Sequence, residues 1–428
     1  MSRPRIPPLV SGAAVPVRAV VARVRGTGLP ADVFAMSAVA LSVALGFGVV
    51  SPAIPLFASE FGVDATAAGA VVSAFALMRL VADPVAGRLV DRIGQRAGLM
   101  LGLAVVAASS VVAGLAQSYP QLLVLRGVGG VGSAVFGVSA VSLVLKVATH
   151  GNRGQAMSVY RSGFLVGGVV GPAVGGAVLG ISLRAPFFLY GGTLVLAGVV
   201  AMVFVGRRER LAARSGGDIE PDEPSTGHDE AEPVLRELLR TREYQAALMA
   251  NLAVGLAVFG VRSAVVPLFF VHDLGTSDAT VAYAFLVSSL VQVALLFPAG
   301  RWTDSAGRRP ALLAGSLGAA LGLALLAVGG SVAVALVALA VFGAGSAFLG
   351  SAPAALVGDV AGRRSGSAVA VFNMASDLGA VVGPTLAGWL VDHGSYVLAF
   401  GLAAAVVALA GLLGLRLPRA SSASQPTS

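Results

Sequence analysis

The sequence predicts an all-α membrane protein with twelve transmembrane helices in two pseudo-symmetric six-helix halves. Three observations carry this. The chain is 56% hydrophobic and only 12% charged, with a mean hydropathy of +0.87. A soluble chain of 428 residues needs far more polar surface, so the bilayer is its solvent. Its apolar residues fall into twelve runs of roughly 18–25 residues, the length a bilayer core of about 30 Å requires at 1.5 Å per residue. Finally, a polar turn between two apolar runs, G-R-L-V-D-R-I-G-Q-R at 87–96, returns as G-R-W-T-D-S-A-G-R-R at 300–309. Gly87/Gly300, Asp91/Asp304, Gly94/Gly307 and Arg96/Arg309 match at an offset of 213 residues, close to half the chain, which points to two related halves.

Residues 1–30 hold Arg3, Arg5, Arg18, Arg23 and Arg25, with four prolines before residue 20, and read as a basic cytoplasmic tail. The run that follows is long enough to span and lacks an A-x-A cleavage site. The N-terminal half, 31–205, is expected to span at 33–58, 67–89, 98–117, 120–146, 155–181 and 186–205. A cytoplasmic linker follows at 206–243. Its stretch from Asp218 to Glu232 is acidic and proline-bearing and is expected to be unstructured. Val234, Leu235, Leu238 and Leu239 then suggest an amphipathic turn at the membrane surface. The C-terminal half, 244–416, is expected to span at 245–271, 280–299, 310–329, 332–358, 367–391 and 395–415, leaving 417–428 as a cytoplasmic tail.

The arginines test this count independently. With the N-terminus inside, the tails, the linker and the inner loops hold 24 lysines and arginines, and only Arg184 lies outside. Glu60, Asp64, Asp273, Asp278 and Asp392 occupy the other outer connections. This is the positive-inside pattern of a bacterial cytoplasmic-membrane protein with both termini inside. The net charge of +8 is therefore topological and gives no reason to expect nucleic acid.

Other function classes recede on composition. Cysteine is absent, which removes disulfides, thiolate metal sites and a cysteine nucleophile. The single lysine, Lys146, lies in V-L-K-V, so the chain has no Walker A loop of its own. His150, His228, His272 and His393 have no ligand spacing, and G-x-S-x-G does not occur. No metal, cofactor or enzymatic centre is expected.

The repeat extends beyond the turn. Pro55-Leu56-Phe57 matches Pro267-Leu268-Phe269, and Gly171-Pro172 matches Gly383-Pro384, each 212 residues on. Taken together, the motifs resemble those of a twelve-helix member of the major facilitator superfamily over roughly residues 31 to 416. The 87–96 turn is similar to the superfamily's loop between helices two and three. The second copy departs from that loop at Trp302 and Ser305. Leu123 to Ala134 resembles the fourth-helix motif of proton-coupled members, keeping Arg126, Gly130 and Gly132 but with Gly129 where glutamine is common. Gly167 to Gly176, G-G-V-V-G-P-A-V-G-G, resembles the fifth-helix motif of the drug:proton antiporter branch.

Candidate gating residues follow. Asp91 can bridge Arg88, Arg92 and Arg96, making the turn a latch that shuts the inner gate rather than only a topogenic loop. Gly87, Asp91, Arg92, Gly94 and Arg96, with Gly300, Asp304, Gly307 and Arg309, form that set. Gly163, Gly167, Gly171 and Gly175 form a stripe beside Pro172 and Gly176. Such a stripe packs helices closely, and can also give a smooth face on which one half rocks against the other.

Charges inside the spans are costly and so mark candidate sites. Asp377 lies near the midplane and can carry a proton or permanently pair with Arg126 or Arg161. Arg79 and Asp83, one helical turn apart, read as an internal pair. Asp359 is placed inside, near Arg363. Asp377, Arg126 and Asp83 are the proton-coupling candidates, the resemblance putting Arg126 beside the proton path. Arg161 and Arg262 can meet an anionic substrate group, although Arg262 can equally snorkel outward. Tyr160, Phe164, Asn251, Phe259, Gln292, Phe348, Phe372 and Asn373 are candidate pocket lining, with simple packing the alternative for the aromatics.

The favoured expectation is a monomeric, proton-coupled exporter of small apolar or amphipathic molecules. The alternative is a proton-coupled uptake symporter of a small, even anionic, metabolite, because the buried arginines outnumber the acids. A polytopic sensor or membrane enzyme has the least support.

Overall fold

A computed structural model describes residues 29–148, 152–204, 236–361 and 366–417. Residues 1–28 of the basic tail, linker residues 205–235, Arg363, Arg364 and residues 418–428 lie outside the described residues. Among those described, twelve helices are long and apolar enough to cross a membrane, and no strand occurs. In the first half these are α1 (Ala31–Ser59), α2 (Ala65–Ile93), α3 (Gln95–Gly114), α4 (Tyr119–Val147), α5 (Gln155–Leu179) and α6 (Ala185–Phe204). In the second they are α7 (Arg242–Asp273), α8 (Asp278–Ala306), α9 (Arg308–Val328), α10 (Val332–Val360), α11 (Ala368–His393) and α12 (Tyr396–Gly414). Asp64, Thr241, Ser331 and Ser395 cap α2, α7, α10 and α12, each side chain accepting the backbone N–H three residues on.

All twelve expected spans are present, but the polar turn is not the loop the sequence suggests. Residues 87–93 and 300–306 continue α2 and α8 as helix, and the turn proper is Gly94 and Gly307, at φ 85° and 98°. A side chain is strained at those angles, so the repeated glycine is a backbone requirement.

Packing repeats with the sequence. α1 lies on α5 and α6, α2 on α4, and α3 on α4 and α6; α7 lies on α11 and α12, α8 on α10, and α9 on α10 and α12. The halves meet where α2 packs on α11 and α5 packs on α8, which are themselves repeat-related pairs.

The glycine stripe belongs to the first kind of contact. Gly163, Gly167, Gly171 and Gly175 lie against the carbonyls of Ser37, Leu41, Leu45 and Val49 of α1, and a Cβ on any of them would collide with backbone. Pro172 presses on Gly48 of the same helix. The reading of this stripe as a rocking face between halves is therefore corrected: it is a helix crossing within one half, where backbones approach closely because no side chain intervenes. Gly176, beside the stripe, reaches the other half, against Ala282 of α8.

Candidate functional site

Acidic residues mark one end of the bundle (Glu60, Asp64, Asp273, Asp278, Asp392), and basic residues mark the other (Arg88, Arg92, Arg96, Arg301, Arg308, Arg309). The contacts between the halves gather at the acidic face. Gly69 of α2 lies on the carbonyl of Pro384 and Gly388 of α11 on that of Ala65. Thr385 donates to the hydroxyl of Ser73 at 2.8 Å. Gly176 of α5 and Gly180 just past its end sit beside Ala282 and Ala279 of α8. Arg262–Leu268 of α7 meets Ala53–Ser59 of α1. Toward the basic face, α2 instead exposes Val81 (60%) and Val85 (61%). Gly87 and Gly300 have nothing within 4 Å of where a Cβ would lie. The acidic face is closed, and the packing loosens toward the basic face.

At the inner limit of this closed seam, Arg79 of α2 forms an ion pair with Asp377 of α11. The side chains are 38% and 17% exposed. Both lie roughly 20 Å from the acidic ends of their helices, counted at 1.5 Å per residue. Asp83 stands one turn further along α2, close enough for its charge to act on both partners. Three candidate charges thus come together, but differently from the sequence-based pairing. Arg79 reaches across to Asp377 rather than back to Asp83, and Asp377 pairs with neither Arg126 nor Arg161. The i,i+4 pair is a weak contact, whereas leaving Asp377 unpaired inside the bundle would strand a carboxylate where charge is costly.

Arg126 is buried (2% exposed) within its own half, with its guanidinium 4.5 Å from the ring centre of Phe75. Its Nε and Nη2 have no hydrogen-bond acceptor among the described residues. Arg262 is likewise buried, lies over Phe285 at 5.0 Å and donates to Ser289 at 3.4 Å. It does not snorkel. Stacking on an aromatic face compensates part of the desolvation in both cases.

The repeated turn divides into distinct roles. Asp91, Arg88 and Arg92 are exposed, and Asp91 bridges none of its arginines among the described residues. Arg92 is adjacent in sequence, a spacing at which helical side chains do not face each other, while Arg96 is engaged elsewhere. In the second copy Arg308 takes the bridging position, bonding Asp304 at 3.0 Å and Asp359 at 2.8 Å. Asp359 thus finds its partner on α9. Arg96 donates to the carbonyl of Met202 and Arg309 to that of Leu417, both at 3.0 Å. Each copy therefore ties the start of its half's third helix to the region where its sixth ends, at the last turn of α6 in one half and just past α12 in the other. Arg96→Ala is expected to lower the melting temperature of the purified protein by a few degrees while Arg92→Ala leaves it unchanged; equal shifts in a thermal-unfolding assay would remove this stapling role.

The pocket candidates separate by burial. Tyr160 and Phe372, which are repeat mates, are buried; Tyr160 stands edge-on to Phe164, 5.4 Å between ring centres. Asn251 donates to the carbonyl of Phe372 at 2.6 Å and so braces α7 against α11 rather than lining a pocket. Gln292 is buried and Phe348 packs on Trp302. Phe259, Arg161 and Asn373 are exposed. Residues that the sequence did not single out for the seam are Ser73, Thr385 and Asp392.

A family model described as Major Facilitator Superfamily matches residues 36–269 and again 247–428. The chain belongs to the Major Facilitator Superfamily. It is therefore an integral membrane protein of a transporter family. Among relatives of this superfamily member, Multidrug resistance protein 2 of Bacillus subtilis is 28% identical over 81% of this chain and 86% of its own length. Quinolone resistance protein NorA of Staphylococcus aureus is 26% identical over 41% of this chain and 46% of its own. Two solved structures share the fold. One is a bacterial homolog of the human lysosomal transporter Spinster, inward-facing and unoccupied (TM-score 0.68, 18% identity, 94% of this chain and 99% of that one). The other is a POT family transporter with 5-aminolevulinic acid (TM-score 0.69, 12% identity, 91% and 96%).

Proposed function

We propose that this superfamily member is a proton-driven exporter of small apolar or amphipathic molecules, working as a monomer in the cytoplasmic membrane by alternating access. The observation that carries the reading is the Arg79–Asp377 pair, a charge contact between the halves at mid-depth, where ionisable groups are expensive and serve function. A multidrug resistance relative and a quinolone resistance relative support the substrate class and the direction.

With the basic face in the cytoplasm, the closed acidic face is the outer gate and the structure is inward-facing. In this state Asp377 is held by Arg79. For the seam to part, something must take over one of the two charges, because an unpaired charge in a low-dielectric interior is destabilising. A proton can neutralise Asp377, and an amphipathic cation can replace Arg79 beside it. One carboxylate does not hold both together, so proton and substrate exchange rather than travel together. The exposed Asp91 turn then belongs to an inner latch that is undone in this state.

Anion uptake has less support, since Arg79 is paired with a carboxylate while Arg126 and Arg262 stack on phenylalanines inside their own halves.

The test uses inside-out vesicles energised by respiration, with a pH-gradient dye and a panel of lipophilic drugs and metabolites. Partial collapse of the gradient by some of the drugs, in vesicles holding the protein and not in empty ones, is the expected result. A gradient unmoved by every drug, together with proton-dependent metabolite uptake in whole cells, would replace export by symport.

A further inference from the structure

The two seams between the halves differ in chemistry. On α5 and α8 the outer turns meet through Gly176, Gly180, Ala279 and Ala282, with no hydrogen bond between those turns among the described residues. On α2 and α11 a carboxylate crosses over. Asp392, near the end of α11, accepts the backbone N–H of Ala65 at 3.0 Å and of Thr66 at 2.7 Å, and also the Thr66 hydroxyl. These are first-turn amides of α2, which lack partners in their own helix and carry the positive end of its dipole. Asp64 of α2 already accepts the amide of Ala67 at 2.8 Å. The start of α2 is thus capped twice, once by its own half and once by the other. The repeat mate of Asp392 is Gly180, which has no side chain to do the same on α8.

We infer that Asp392 is the latch of the outer gate. It fastens the α2/α11 seam in the inward-facing state and must let go of Ala65 and Thr66 before the acidic face can open. Backbone amides are a fixed target that a carboxylate satisfies in one geometry and loses when the helices separate, so the contact is made in one state only. The α5/α8 seam, held by close packing of small residues, has no equivalent and can part without breaking a charge contact. The inference rests on the alternating-access reading above, but its test needs no transported compound.

The chain has no cysteine, so introduced pairs are the sole labelling sites. Spin labels at Glu60→Cys and His272→Cys report on the acidic face, and labels at Ala97→Cys and Arg416→Cys on the basic face. Distance distributions are measured by electron–electron double resonance on the full chain in lipid nanodiscs without substrate. Asp392→Ala is expected to raise the population with a long acidic-face distance and a short basic-face distance roughly fivefold, the effect of losing a good helix cap. Asp392→Asn should give a smaller rise. Asp64→Ala removes a cap of the same helix without touching the seam and should give none. Wild-type distances in Asp392→Ala would overturn the latch, as would an equal shift in Asp64→Ala. If neither Asp392 variant reaches the membrane, Thr66→Val decides: a shift supports the latch and wild-type distances overturn it. Drug-driven proton movement by the same variants is scored separately, so a chain that exports nothing but still shifts its distances refutes the exporter and keeps the latch.

Discussion

Asp377→Asn is expected to abolish drug-driven proton exchange while leaving the protein inserted and folded. Asn preserves the size of the side chain but can neither hold a charge against Arg79 nor carry a proton. Removing one partner of a buried pair costs about 3–5 kcal/mol. Here the 38% exposure of Arg79 lets water screen the orphaned charge, and about 2 kcal/mol is the appropriate scale, roughly a thirtyfold shift against the closed acidic face. The exchanged pair Arg79→Asp with Asp377→Arg separates two roles. It restores an ion pair between the halves but moves the carboxylate from α11 to α2. If the pair only holds the seam, exchange returns in the double variant. If Asp377 is the coupling carboxylate, the double variant regains thermal stability and remains inactive. Full exchange by Asp377→Asn alone would remove the residue from the mechanism altogether.

Much of this architecture was legible because the bilayer leaves a chain few options. A span needs an unbroken apolar run, so twelve helices could be counted before any contact between them was known. Asp377 stood out for the same reason, as a carboxylate where carboxylates are expensive. Its partner did not stand out. Arg79 lies 298 residues away, and the sequence offered Asp83 at helical spacing instead. In a helix that is apolar almost all round, the pattern does not say which face meets which neighbour, so rotation and partner are set by tertiary packing alone. Asp392 was hidden in another way. It reads as an outer-loop acid supporting topology, and its role comes from where the amides of Ala65 and Thr66 end up in the other half. The repeated turn was legible as a repeat and misread as a loop, since only Gly94 and Gly307 leave the helix. Arg96 and Arg309 could be matched as a pair, but the carbonyls of Met202 and Leu417 that they reach carry no sequence signal.

The glycine stripe of α5 yields the second large effect, and its neighbours supply the control. Gly167→Leu and Gly171→Leu are expected to prevent accumulation of folded protein. At each position a Cβ would meet the backbone of α1 between Leu41 and Gly48. Backbone cannot yield as the tip of a side chain can, so the helices must separate. Overpacking in a fixed core typically costs about 1–3 kcal/mol. A leucine wedged between two backbones belongs at or beyond that upper figure and also disturbs the carbonyls on either side. Gly168 is next in sequence, exposed, and has nothing within 4 Å of its Cβ position. Gly168→Leu should therefore accumulate and transport like the parent. The comparison is read as the monodisperse peak of detergent-solubilised protein in size-exclusion chromatography, followed by proton exchange in vesicles. Were Gly167→Leu to give a normal peak and fail only in transport, the stripe would be a moving surface between conformations and not a fixed crossing. The contacts argue for the fixed crossing. Four glycines meet four carbonyls at one spacing, an arrangement that sliding by a single residue would destroy, so α1 and α5 travel as one body when the halves move.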